Sequence, residues 1–119
     1  MMMFQGLLIK ESLEDERLLD LVQVQKVELW ATDNRPKYWT AITFTSGEPD
    51  FPEQLSRALM GGGNVTWYVD FARNGIKYIV LRGHVLTYPI GDAQAKKQVM
   101  DRCLALGVPI HQLDWEETL

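Results

Sequence analysis

Three residues in the second half of the chain, Asp70, Arg82 and His84, carry side chains that could bind a ligand or transfer a proton. A partly buried carboxylate can act as a general base, an imidazole titrates near neutral pH, and a guanidinium binds planar anions. They are therefore the candidate ligand-binding residues, and catalytic residues stay unassigned. A structural role is the alternative, in which Asp70 pairs with Lys77 across a hairpin and Arg82 lies against the Trp67 ring.

The segment that positions these residues is a hairpin predicted from Val65 to Tyr88. Asn74-Gly75 separates two runs rich in β-branched and aromatic residues, which is the strongest short-range signal for a hairpin with a two-residue turn. This turn puts Phe71 opposite Tyr78, and the same pairing continued outward puts Val65 opposite His84.

The predicted register decides which polar groups share a face of the sheet. It puts Asp70 on the face opposite to Arg82 and His84, because successive strand residues alternate between faces. A shared site for Asp70 and His84 therefore requires a bulge near Gly83 that re-aims the strand. With a regular strand through Gly83, the two residues are kept apart.

The face of the hairpin that carries Asp70 is more apolar than a solvated face requires. Tyr68, Ile79 and Leu81 lie on it, and the C-terminal segment adds Trp115. Exposed apolar surface of this kind marks interaction sites. We therefore expect these four residues to form an interface and the protein to be a homodimer that associates through this sheet face.

The residues that usually bind metals are few and scattered. The chain has two histidines, His84 and His111, and one cysteine, Cys103, with no spacing typical of a zinc site. Cys103 falls on the apolar face of a predicted helix, where a free cysteine acts as a small hydrophobic residue. We expect no metal and no cofactor.

Composition narrows the class of protein. The 119 residues carry a net charge of −4, which argues against nucleic acid as a partner. No apolar stretch is long enough to span a membrane, and the start lacks the features of a signal peptide, so the cytoplasm is the default location. We expect a single domain over residues 1–119 and no membrane partner.

The remaining elements follow from periodicity and capping signals. Strands are predicted at Phe4–Glu11, Val24–Ala31 and Tyr38–Thr45, and helices from Phe51 to about Gly61 and over Ala93–Leu106. Residues 14–21 suit either a short helix or an extended arm. The order predicts an α+β, two-layer sandwich: a mainly antiparallel sheet with helices on one face. If residues 14–21 are helical, the fold is ferredoxin-like with an added strand and a C-terminal helix.

Three segments resemble those of a group of small uncharacterised bacterial proteins. They are WYVDF (67–71), the YxVxxxxVxxYPxGD pattern from Tyr78 to Asp92, and GVPIHQLDW (107–115), and the GLLIKESL start is similar as well. The resemblance implies a shared fold and assigns no activity, cofactor or site residue.

Two function classes stay open. An acidic, histidine-poor small domain favours a binding or protein-interaction module that self-associates. The alternative is a small enzyme or small-molecule-binding protein that uses the polar groups of the central hairpin, with its ligand unknown. The fold alone does not decide between them.

Overall fold

The computed structural model describes residues 3–33, 37–61, 66–115 and 117. The strands are β1 (Phe4–Ile9), β2 (Gln23–Ala31), β3 (Tyr38–Ser46), β4 (Tyr68–Arg73), β5 (Ile76–Leu81) and β6 (His84–Pro89). The helices are α1 (Phe51–Ala58) and α2 (Ala93–Ala105), with 3₁₀ helices at Lys10–Ser12, Glu16–Leu21 and Ile110–Gln112.

The six strands form one antiparallel sheet in the order β2-β3-β1-β4-β5-β6. The predicted α+β class with a mainly antiparallel sheet is confirmed. The open question about residues 14–21 is answered by a 3₁₀ helix over Glu16–Leu21, which stands between β1 and β2. The first part of the chain therefore follows the βαββαβ order of the ferredoxin-like pattern, with this short helix as its first helix.

The turn at Asn74-Gly75 forms as predicted, and both residues have positive φ angles, 53° and 78°. The register is confirmed from Arg73 opposite Ile76 to Tyr68 opposite Leu81. Beyond Leu81 the prediction of one long strand is wrong. The chain turns again, and β6 returns along β5. Val65 lies outside the described residues.

One face of the sheet packs against α1. All four phenylalanines of the chain meet there, with ring centroids 5.3 to 6.0 Å apart in the contacting pairs: Phe4, Phe44, Phe51 and Phe71. Leu55 and Leu59 are fully buried against them. Aromatic rings bury much apolar area, so this first core supplies a large part of the stability.

The opposite face packs against α2 and the C-terminal segment at the β5–β6 end of the sheet. Ile79 and Leu81 lie in this second core together with Cys103 of α2, while Val80 between them belongs to the first core. The placement of α2 thus differs from the prediction of helices on one face. The reason is that β5 is apolar on both faces, so each face needs a cover.

The second core covers only part of its face. Among the described residues, no α-helix covers this face of β1, β2 and β3, and this open half, with β4 along its border, holds the site described next. Within the described ranges, no helix is long and apolar enough to cross a membrane.

Candidate functional site

Asp70 is held in an ion pair on the second face. The Nζ atom of Lys77 lies 2.7 Å from Oδ2 of Asp70, and only 4% of the lysine side chain is exposed, against 32% for the aspartate. The predicted structural role of Asp70 is therefore the observed one. Its carboxylate is engaged by the protein's own cation, which does not favour a general base.

His84 does not join Asp70. The bulge near Gly83 is replaced by a full turn, in which Gly83 has a φ of 78°, and His84 begins β6 opposite Leu81. This puts His84 and Asp70 on the same face, which the sequence register did not predict. Strand β5 nevertheless lies between them, and His84 is opposite Leu81 whereas Asp70 is opposite Ile79, two positions away along β5. His84 lines neither cavity of the open half.

The side chain of Arg82 makes its contacts away from Asp70 and His84. Its guanidinium forms an ion pair with Glu14, and Nη1 donates to the carbonyl oxygen of Leu59 at 2.7 Å. These contacts tie the β5–β6 turn to the segment before the first long hairpin and to the end of α1. Arg82 thus has a structural role, with Glu14 in place of the predicted Trp67.

The four candidate interface residues pack against other residues of the same chain. Ile79 and Leu81 are buried under α2, and Trp115 is also buried. Tyr68 is half-buried and packs edge-on against Trp115, with 5.8 Å between ring centroids. The expected dimer face at this place is therefore revised, because α2 and the C-terminal segment already cover it.

The open half of the second face contains two adjoining cavities of about 500 and 450 Å³. They share Leu7 and Asp70 on the floor, on the neighbouring strands β1 and β4. The lining of the first cavity includes the polar residues Gln5, Thr43, Thr45 and Asn74, although most of its exposed area is apolar. The second cavity, which we call the tryptophan cavity, differs in its tryptophan content.

All four tryptophans of the chain line the tryptophan cavity: Trp30, Trp39, Trp67 and Trp115. Trp30 and Trp39 face each other across the β2–β3 pairing, and the Trp39 ring lies edge-on to Trp67 with centroids 5.2 Å apart. Trp115 forms part of the opposite wall with the C-terminal segment. The strand order is what brings these distant residues together.

Two hydrogen-bonding groups stand out in the tryptophan cavity. Among the described residues, the indole Nε1 of Trp39 is the one buried side-chain polar atom without a hydrogen-bond partner. The phenol of Tyr68 donates to the carbonyl oxygen of Gln112. Burial, helped by the nearby Asp70 carboxylate, raises the pKa of Tyr68, so the phenol stays protonated. An unpaired buried donor costs free energy, and because this nitrogen is closed to solvent, a ligand acceptor would recover that cost only after the neighbouring side chains move.

The charged groups at the tryptophan cavity are mainly acidic. Asp70 and Asp114 contribute carboxylates, and His111 contributes an imidazole. Since Asp70 is neutralised by Lys77, the formal charge of the lining is set by Asp114. Aromatic faces and carboxylates both attract cations, so this lining favours a positively charged organic group.

The thiol of the one cysteine lies outside the tryptophan cavity. Cys103 is buried in the second core, and burial raises the pKa of its thiol to about 11, which disfavours the reactive thiolate. In the part of the chain that the structure describes, no group of three or more His, Cys, Asp or Glu side chains could hold a metal ion.

Sequence reasoning missed the tryptophan cluster. The two predicted strands Val24–Ala31 and Tyr38–Thr45 each carry one of these residues, and the observed register puts Trp30 opposite Trp39. Trp67 had no such local signal, since its approach to Trp39 depends on β1 lying between β3 and β4.

None of the protein-family models, curated proteins or solved structures with which the chain was compared matches it. The resemblance to small bacterial proteins thus stays a prediction.

Proposed function

We propose that the protein is a binding module and that its ligand site is the tryptophan cavity. The observation that carries the proposal is that all four tryptophans line this one cavity. Exposing large aromatic rings around an open cavity is energetically unfavourable, and aromatic side chains are enriched at binding sites. The volume, about 450 Å³, lies in the range of small-molecule sites.

The ligand class follows from the chemistry of the lining. The aromatic walls and the Asp114 carboxylate favour an ammonium or guanidinium group. The unpaired indole N–H of Trp39 favours an acceptor oxygen on the same ligand. A compound that carries both, such as an arginine derivative with an amide carbonyl or a basic side chain of a peptide, fits the two requirements.

Intrinsic fluorescence tests the proposal directly, because every tryptophan of the chain reports on the cavity. N-acetyl-arginine amide is titrated against N-acetyl-citrulline amide, which has nearly the same shape but no charge. We expect a saturable change with the arginine compound and about tenfold weaker binding of the citrulline compound. No saturable change up to millimolar concentration, or equal binding of the two compounds, would contradict the proposed ligand class.

Two variants locate the binding. Asp114→Asn, which removes the exposed carboxylate, should weaken binding of the arginine compound and leave binding of the citrulline compound unchanged. Asp101→Asn on α2 is the matched control, since Asp101 is also exposed but lies outside the lining. Equal effects of the two substitutions would mean that net charge, not the cavity, attracts the compound.

The enzyme alternative receives less support. Asp70 is paired with Lys77, Arg82 with Glu14, and His84 lies outside the two cavities. We place the binding module in the cytoplasm, which is supported by a lone cysteine that is free and buried in the core.

A further inference from the structure

β2 forms one edge of the sheet and is unusually apolar for an edge. Among the described residues, half of the exposed large hydrophobic side chains lie on this strand: Val24, Val27, Leu29 and Trp30. Leu29 is 71% exposed. An edge strand also presents unpaired N–H and C=O groups, which can pair with another strand. A long, apolar edge is therefore a docking surface for a strand.

The strand is regular where it is most apolar. A bulge separates the pair Val24–Phe44 from the pair Lys26–Thr43, and it puts Gln25 out of the pairing. From Lys26 onward the ladder runs without a shift to Ala31. Bulges protect edges from pairing, so the bulge confines any docking to the regular part of β2.

We propose that two copies of this chain pair through β2, antiparallel, with Val27 on the two-fold axis. Pairing about Val27 puts Lys26 of each copy directly opposite Glu28 of the other, which forms two ion pairs. The two side chains lie on one face within a single chain, where Lys26 Nζ is 3.4 Å from Glu28 Oε1 and both are exposed. They can therefore exchange partners with a second copy.

The charge pattern selects this register and this partner. Moving the axis to Lys26 or to Glu28 puts two like charges directly opposite each other, so both ion pairs are lost and a repulsion is added. Opposite charges directly across an antiparallel pair stabilise it, and like charges destabilise it. A strand whose charges complement themselves under two-fold symmetry fits a second copy of itself, as an isologous interface requires.

Charge reversal tests the proposal. Sedimentation equilibrium of the wild-type chain between about 10 and about 500 micromolar covers the range in which a small interface dissociates. We expect a monomer–dimer equilibrium, weakened about tenfold by Lys26→Glu or by Glu28→Lys and restored in the double variant. Lys97→Glu on α2 is the matched control, because Lys97 is exposed and pairs with Asp101 within its own helix. A monomeric wild-type chain, or a double variant as weak as the single ones, would overturn the proposal.

Cysteine cross-linking tests the register independently. Residues on the two-fold axis of an antiparallel pair have Cα atoms about 4.5–5.5 Å apart, which a disulfide can bridge. Val27→Cys should cross-link under mild oxidation, whereas Leu29→Cys should not, because Leu29 would lie opposite Gln25. The native Cys103 is buried and does not compete. Cross-linking of Leu29→Cys in preference to Val27→Cys would overturn the register.

Discussion

The indole N–H of Trp115 donates to the phenolic oxygen of Tyr88 at 2.7 Å, inside the second core. This bond joins the C-terminal segment to β6, so one wall of the tryptophan cavity is held by a contact outside the cavity itself. Leu113, which is also buried, adds apolar contact at the same place. The position of the cavity wall thus depends on the core that α2 completes.

The Trp115–Tyr88 bond should make a measurable contribution to stability. Trp115→Phe leaves the Tyr88 hydroxyl without its donor, and Tyr88→Phe leaves the indole N–H unpaired. Each single substitution should lower the free energy of unfolding by about 1–3 kcal/mol, because a buried polar group is left unsatisfied. The double variant should cost less than the two losses together. Urea unfolding of the four proteins checks this, and additive losses would show that the two groups do not interact.

Removing Asp70 from the Asp70–Lys77 pair should destabilise the protein more than removing Lys77. Asp70→Asn removes the carboxylate that lies 2.7 Å from a lysine that is 4% exposed, and we expect a loss of about 2–3 kcal/mol, below that of a fully buried pair because Asp70 is partly exposed. Lys77→Met should cost less, since water can reach Asp70. Chemical denaturation of both variants tests the asymmetry, which a larger loss in Lys77→Met would refute.

The turn at Asn74-Gly75 should depend on glycine. Gly75→Ala puts a Cβ atom on a residue with a φ of 78°, so we expect a loss of about 1–2 kcal/mol. Gly47→Ala is the control, because Gly47 lacks a positive φ and a Cβ there meets only the end of the flexible Met3 side chain at 3.8 Å. Thermal melting should show a lower midpoint for Gly75→Ala alone. Equal midpoints would contradict the proposed role of the turn.

Stability should fall at alkaline pH. Burial raises the pKa of the Cys103 thiol from 9.0 to about 11, so the unfolded chain loses this proton at lower pH than the folded one. The contribution of the protonated thiol is complete below pH 9 and is lost as the pH rises toward 11. Cys103→Ala should therefore show a flatter decline over this interval, measured by urea unfolding at several pH values. The same slope in both proteins would exclude the thiol as a cause.

The fold could be predicted where local chemistry decides it. The register at Asn74-Gly75 follows from the turn alone, and α2 begins at Ala93 as predicted. The carboxylate of Asp92, directly before it, accepts from the amide of Ala95 at 3.0 Å. The second turn, at Gly83, was missed because apolar residues continue on both sides of it. The tryptophan cavity was missed because it depends on which strands become neighbours, and this is set by long-range packing and not by any single segment.

The most direct test of the tryptophan cavity follows the four indole N–H signals by ¹⁵N NMR during addition of N-acetyl-arginine amide. Trp39→Phe identifies the Trp39 signal, since it removes the N–H and keeps an aromatic ring. We expect the Trp39 signal to shift the most and to saturate, because its N–H gains an acceptor, while the Trp115 signal moves little because its N–H is already bonded to Tyr88. Indole signals that stay unchanged up to millimolar compound would contradict a ligand site in this cavity.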